Sequence, residues 1–150
     1  DEEVVHGIPG SRVIKEGEIV SVDVGSIYKG FYGDSARTFA VGEISPEKKR
    51  LMDVTAKCLQ AGIDKAQNGN KLGQISAAVQ KVAEDSGYGV VRALVGHGIG
   101  RQMHEEPQVP NFGSPEEGPV LKQGMVLAIE PMSPLFRVIY SSPSLPIKGR

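Results

Sequence analysis

The chain has 150 residues, and 17 Lys and Arg set against 18 Asp and Glu leave a net charge of −1. That balance argues against a general attraction to nucleic acid or anionic lipid, and there is no basic run and no basic stripe interleaved with aromatics. The length suits one domain with its own core, no apolar stretch approaches transmembrane length, and no signal peptide opens the sequence. The chain begins at Asp1, and DEEVVHGIP reads like the middle of a protein, so a fragment or processed piece is expected.

In chain order, Glu18 to Gly25 (EIVSVDVG) alternates around β-branched residues and predicts a strand. Val20, Val22 and Val24 share one face, and Ser21 and Asp23 the other. Ser26 to Gly30 reads as a turn, and Phe31 to Val41 as the returning strand of a hairpin. In that pairing Asp23 and Asp34 are expected to face each other across the ladder. Ser45-Pro46-Glu47 starts a helix, with a serine cap, proline at the first helical position and an acid in the first turn. It should run to about Gln67 and stop at Asn68-Gly69-Asn70.

A second helix over about Leu72 to Ser86 carries Leu72, Ile75, Val79, Val82 and Ala83 on one face and ends at Gly87. Val90 to Val95 is short and strand-like, Gly96 to Gly118 is loop rich in Gly and Pro, and Met125 to Glu130 (MVLAIE) is a buried strand stopped by Pro131. The fold class is therefore mixed, α+β. The lone cysteine, Cys58, excludes an internal disulfide framework and fits a reducing compartment, the cytoplasm. Leu51, Thr55, Leu59 and Gly62 stand around it at helical spacing, which predicts packing and not reactivity.

The chemistry concentrates in four residues on separate segments: Asp23, Asp34, His97 and Glu130. Carboxylates with one imidazole favour divalent Mn, Fe, Co or Zn. Two facing carboxylates repel unless a cation or proton lies between them. So acidic a set can serve two cations, the arrangement of metal-assisted hydrolysis. Gly96-His97-Gly98-Ile99-Gly100-Arg101 is no dinucleotide loop, because, counted from Gly98, Met103 stands where the third glycine would fall. His104-Glu105-Glu106-Pro107 lacks the second histidine of a zincin helix, and Pro107 breaks a helix. His6, His97 and His104 all lie in segments rich in Gly and Pro, where function concentrates.

Five segments, VVHGIP, IVSVDVG, GFYGDSARTF, GHGIGRQMHEEPQVPNFG and GMVLAIEPM, resemble in order and spacing the type I methionine aminopeptidases of the pita-bread fold. The resemblance covers His6 to Met132. It implies an α+β pita-bread domain, an antiparallel sheet with helices on its outer face, over residues 1–132, followed by a divergent or truncated tail over 133–150. It implies two divalent cations (Co, Mn, Fe or Zn) on Asp23, Asp34, His97 and Glu130, with Glu130 also the general acid/base for the attacking water. His6 and His104 would contact the substrate backbone and stabilise the tetrahedral intermediate. Met103 stands where many members carry an aromatic residue of the methionine pocket.

The family's second, bridging glutamate and its N-terminal region have no counterpart here. A sheet lacking the family's second half is expected to leave apolar residues such as Val126 and Ala128 uncovered. The implied activity is removal of the initiator methionine. The implied partners are a peptide or nascent-protein N-terminus and the ribosome, with the chain itself a monomer. A proline-cleaving relative of the same fold and a catalytically silent binding module are the alternatives.

Overall fold

The computed structural model describes residues 7–133, 138–139 and 145–147. The first hairpin pairs β1 (Ile19–Tyr28) with β2 (Phe31–Ala40); β1 runs on through the residues expected to form a turn, and β2 ends one residue short of Val41. The extra length of β1 follows from the turn. Lys29 and Gly30 have φ of 50° and 79°, the two-residue turn whose twist matches that of the strands it joins. This turn sets the register: Asp23 lies opposite Ala36, and Asp34 opposite Gly25. The two aspartates thus share a face but sit one step apart on the diagonal, which corrects the directly facing pair expected above.

That acidic face points inward, with Asp34, Ala36 and Thr38 buried. The valine face points out, with Val22 45% and Val24 54% exposed.

Helix α1 (Pro46–Lys65) starts as its sequence dictates, with the Ser45 side chain accepting from Lys48 N at 3.3 Å. Leu51, Val54, Thr55, Cys58 and Gly62 form its buried stripe. Burial pushes the Cys58 thiol up to about 11, so it packs and stays protonated. Helix α2 (Gly73–Asp85) has no side-chain cap. Instead, the carbonyls of Pro119 and Glu117 accept from Leu72 N and Gly73 N at 3.0 Å each. The helices cross closely at Gly62, where a side chain would press on Val79, Ile75 and Ile129.

Below them lies an antiparallel sheet in the order β4 (Glu105–Val109), β3 (Gly96–Gly98), β5 (Val126–Ala128), β8 (Leu145–Pro146). Strand β3 is not Val90 to Val95 but the Gly-His-Gly that follows, and β4 occupies part of the expected loop. The reason is steric. A Cβ at Gly96 would collide with the Ala128 carbonyl, and one at Gly98 with the Glu106 carbonyl, so only glycine allows this middle strand. Ile75 of α2 joins Val109, Leu121, Leu127 and Ile129 in one core cluster.

Past Glu130, β6 (Met132–Ser133) pairs with β7 (Val138–Ile139). Within the expected tail, Leu145–Pro146 pairs with β5, and Ile147, 3% exposed, enters the core. Ala128 is fully buried and Val126 half-buried, which corrects the expectation that both would be uncovered. β5 is flanked by β3 on one side and by Leu145–Pro146 on the other, so neither edge of this segment is open. Among the described residues, no helix is long and apolar enough to cross a membrane.

Candidate metal centre

The hairpin and the sheet meet at one point. Asp34 comes from β2, His97 from β3, and Glu130 from the connection between β5 and β6. Two neighbours at once fix His97, because it pairs with Gln108 on one side and Ala128 on the other, and a register shift follows at Gly98. Its Nδ1 lies 2.8 Å from the Gly98 carbonyl oxygen. A carbonyl only accepts, so Nδ1 carries the proton, and in the neutral ring Nε2 is a bare lone pair.

Nε2 faces two carboxylates, Asp34 Oδ2 at 3.4 Å and Glu130 Oε1 at 3.3 Å. Glu130 Oε1 is buried and makes no hydrogen bond among the described residues. Two lone pairs therefore confront each other at 3.3 Å. Such a confrontation is costly in a buried place unless something positive lies between. A proton on Nε2 relieves it, and accordingly the Glu130 carboxylate pulls His97 above the ordinary imidazole range. Burial opposes that shift, while the Gly98 carbonyl and the Asp34 charge reinforce it.

A divalent cation relieves the same confrontation. The donor atoms of Asp34, His97 and Glu130 all lie within 4.8 Å of one another. Ligand atoms about 2.1 Å from a tetrahedral ion stand about 3.4 Å apart, close to the separations seen here. Two oxygens and one nitrogen suit a borderline divalent metal. The residues present therefore fit a metal ion.

Asp23 is not among these three. It is exposed, on the same hairpin face, and lines the same open cleft as Asp34, His97 and Glu130. His104 also lies on this cleft, its ring 4.3 Å from that of His97 and tilted by 57°. Met103 lines the cleft beside it, its thioether methyl lying over Gly25, the residue paired with Asp34. His6 lies outside the described residues, although Gly7 to Pro9 border the cleft.

The sequence reading overlooked two groups: the Gly98 carbonyl, which orients His97, and Asn111, whose side chain reaches the backbone of Glu130. The glycines flanking His97 hinted at the first. Asn111 lay in a Pro-Asn-Phe-Gly run that reads as a turn, and nothing local marks its partner 19 residues on.

The methionine aminopeptidase of Clostridium acetobutylicum is 57% identical over 133 residues, 88% of this chain and 53% of that protein. The chain thus spans about half the length of the curated relatives it matches. The crystal structure of a methionine aminopeptidase from Thermotoga maritima aligns with a TM-score of 0.85 at 44% identity, covering 95% of this chain and 64% of that one. The prolidase from Pyrococcus horikoshii aligns with a TM-score of 0.84 at 26% identity, covering 97% and 42%. The shared architecture is the α+β pita-bread fold. The sequence profile of Metallopeptidase family M24 runs over residues 1–145, through both carboxylate segments and the histidine between them, and the chain belongs to that family.

Proposed function

We propose that this chain carries the metal-binding part of an aminopeptidase that removes N-terminal methionine, including the initiator methionine of nascent proteins. The observation that carries the reading is the convergence of Asp34, His97 and Glu130 on one buried point of an open cleft. The 57% identity to a methionine aminopeptidase, against 26% to a prolidase, favours methionine over proline-cleaving specificity. On this reading the substrates are nascent-protein N-termini, met in the cytoplasm at the ribosome.

The proposed ions are Mn²⁺, Fe²⁺, Co²⁺ or Zn²⁺, the first held by Asp34, His97 and Glu130. Asp23, on the same face and cleft, would extend the set to a second ion. A divalent cation here supplies Lewis-acid polarisation of the scissile carbonyl and acidifies water. The chain's own groups do the rest. Glu130 takes a proton from the attacking water and delivers it to the leaving amine. His104, exposed at the cleft beside His97, donates to the developing oxyanion. His6 is assigned to the substrate backbone by its sequence segment alone. Met103 offers a flexible thioether against the substrate's first side chain.

Methionine release from a Met-Gly peptide by the Co²⁺- or Mn²⁺-loaded chain, measured beside an Xaa-Pro peptide, tests the reading. Methionine release with Xaa-Pro left intact is expected. Cleavage of Xaa-Pro alone would replace it with the prolidase reading, and no turnover despite bound metal would leave the silent binding module. His104→Ala should lower kcat by about 10² with metal content unchanged. Loss of metal together with rate would make His104 a ligand.

A further inference from the structure

Glu130 is the one member of the proposed metal set that no strand holds. Strand β5 ends at Ala128 and β6 begins at Met132, so residues 129–131 cross between two sheets. Pro131 follows directly and has no N–H to offer a ladder. The backbone at Glu130 takes its hydrogen bond instead from a side chain, with Asn111 Nδ2 donating to the Glu130 carbonyl oxygen at 2.9 Å. Asn111 is 1% exposed, so a buried amide is committed to this contact.

The loop bearing Asn111 is clamped on both sides. Arg92 stacks over the ring of Phe112 at 4.3 Å, and Gly113 N donates to Gln80 Oε1 of α2 at 3.1 Å. Val109, which ends β4, is itself buried in the core. The chain of contacts runs from helix α2 through the 110–113 loop to the backbone of Glu130.

We propose that Asn111 is a positioning residue that fixes the Glu130 carboxylate against His97 Nε2. The inference rests on the reading of Asp34, His97 and Glu130 as a metal site. Groups that orient a ligand from behind are worth about ten- to a hundredfold in metal affinity. Asn111 acts on the main chain of its ligand, so its loss should loosen Glu130 without removing a donor atom from the site.

The test is calorimetric titration of the whole 150-residue chain with Co²⁺, together with the Co²⁺ visible absorption spectrum. Asn111→Asp keeps the shape and lacks the N–H, and Asn111→Leu keeps the bulk and lacks all polarity. Both are expected to bind Co²⁺ at least about tenfold more weakly than wild type, with an altered spectrum. Val54→Ala, a core truncation in α1 remote from the site, should lower the melting temperature and leave affinity and spectrum unchanged.

If His97→Ala loses affinity while both Asn111 variants match wild type, the positioning role is overturned and the metal site stands. If wild type binds no Co²⁺, or His97→Ala binds it equally well, the site and this inference fall together.

Discussion

The helix-backed sheet and the first hairpin are built to different standards. In the sheet layer, Ile75, Leu121, Val79 and Val109 are almost wholly buried, and the helices interlock at Gly62. In the hairpin the buried residues are Asp34, Ala36 and Thr38, while Val24, Phe31 and Phe39 lie about half exposed. The hairpin is tied to the rest by a few contacts, including Tyr32 N to the Gly100 carbonyl at 2.7 Å and Lys48 Nζ to the Gly17 carbonyl at 2.7 Å. The proposed site draws on both regions: His97 stands on the packed sheet and Glu130 on the segment that leaves it, Asp34 and Asp23 on the hairpin. A cation there would cross-link the closely packed sheet layer to the more exposed hairpin.

The largest expected effect separates the two regions directly. Ile75→Ala removes a fully buried side chain and should cost about 2–5 kcal/mol. Val24→Ala, on the exposed hairpin face, should cost about 0.5 kcal/mol or less. Denaturant melts of the two variants check this, and equal losses would mean that the valine face is covered in solution.

Next comes the cross-link itself. Saturating metal at a hundred times its Kd should add about 2.7 kcal/mol of stability. Amide exchange should slow most in β2 around Asp34, because the more exposed region has most to gain. Protection confined to the helices would place the ion elsewhere. Smaller again is the single ligand. Asp34→Ala should weaken Mn²⁺ binding by at least tenfold, about 1.4 kcal/mol, read by calorimetry, and unchanged affinity would remove Asp34 from the set.

The same contrast explains what the sequence made legible. Helix α1 was readable because its signals are local: Ser45, Pro46 and Glu47 at one end, and an apolar stripe between. The three residues of the candidate centre were readable as candidates because carboxylates and an imidazole stand out against Val, Gly and Ile. The Gly96–Gly98 strand was not, since glycine has no strand propensity and only the close approach of β4 and β5 makes it a strand. The offset between Asp23 and Asp34 was missed because the turn was placed too broadly, and moving a turn shifts every pair behind it. Asn111 was missed because its partner is a main-chain carbonyl, which leaves no mark in side-chain chemistry.

The smallest expected effect concerns what fills the gap between hairpin and sheet when metal is stripped away. His97 then takes up a proton more readily than an ordinary imidazole, chiefly through Glu130. Its pKa is raised on folding, so the stability it contributes is fully present below about pH 6.5, the unfolded value. That contribution is lost as pH rises through the higher folded value. With chelator present, the melting temperature of wild type relative to His97→Gln should therefore fall between pH 6 and 8. With Mn²⁺ present, the trend should reverse, because the ion must displace that proton and binds better as pH rises. The two curves should thus diverge toward alkaline pH. Parallel curves would mean that proton and cation do not compete for one position, and that the hairpin is held to the sheet by something other than the Asp34, His97 and Glu130 cluster.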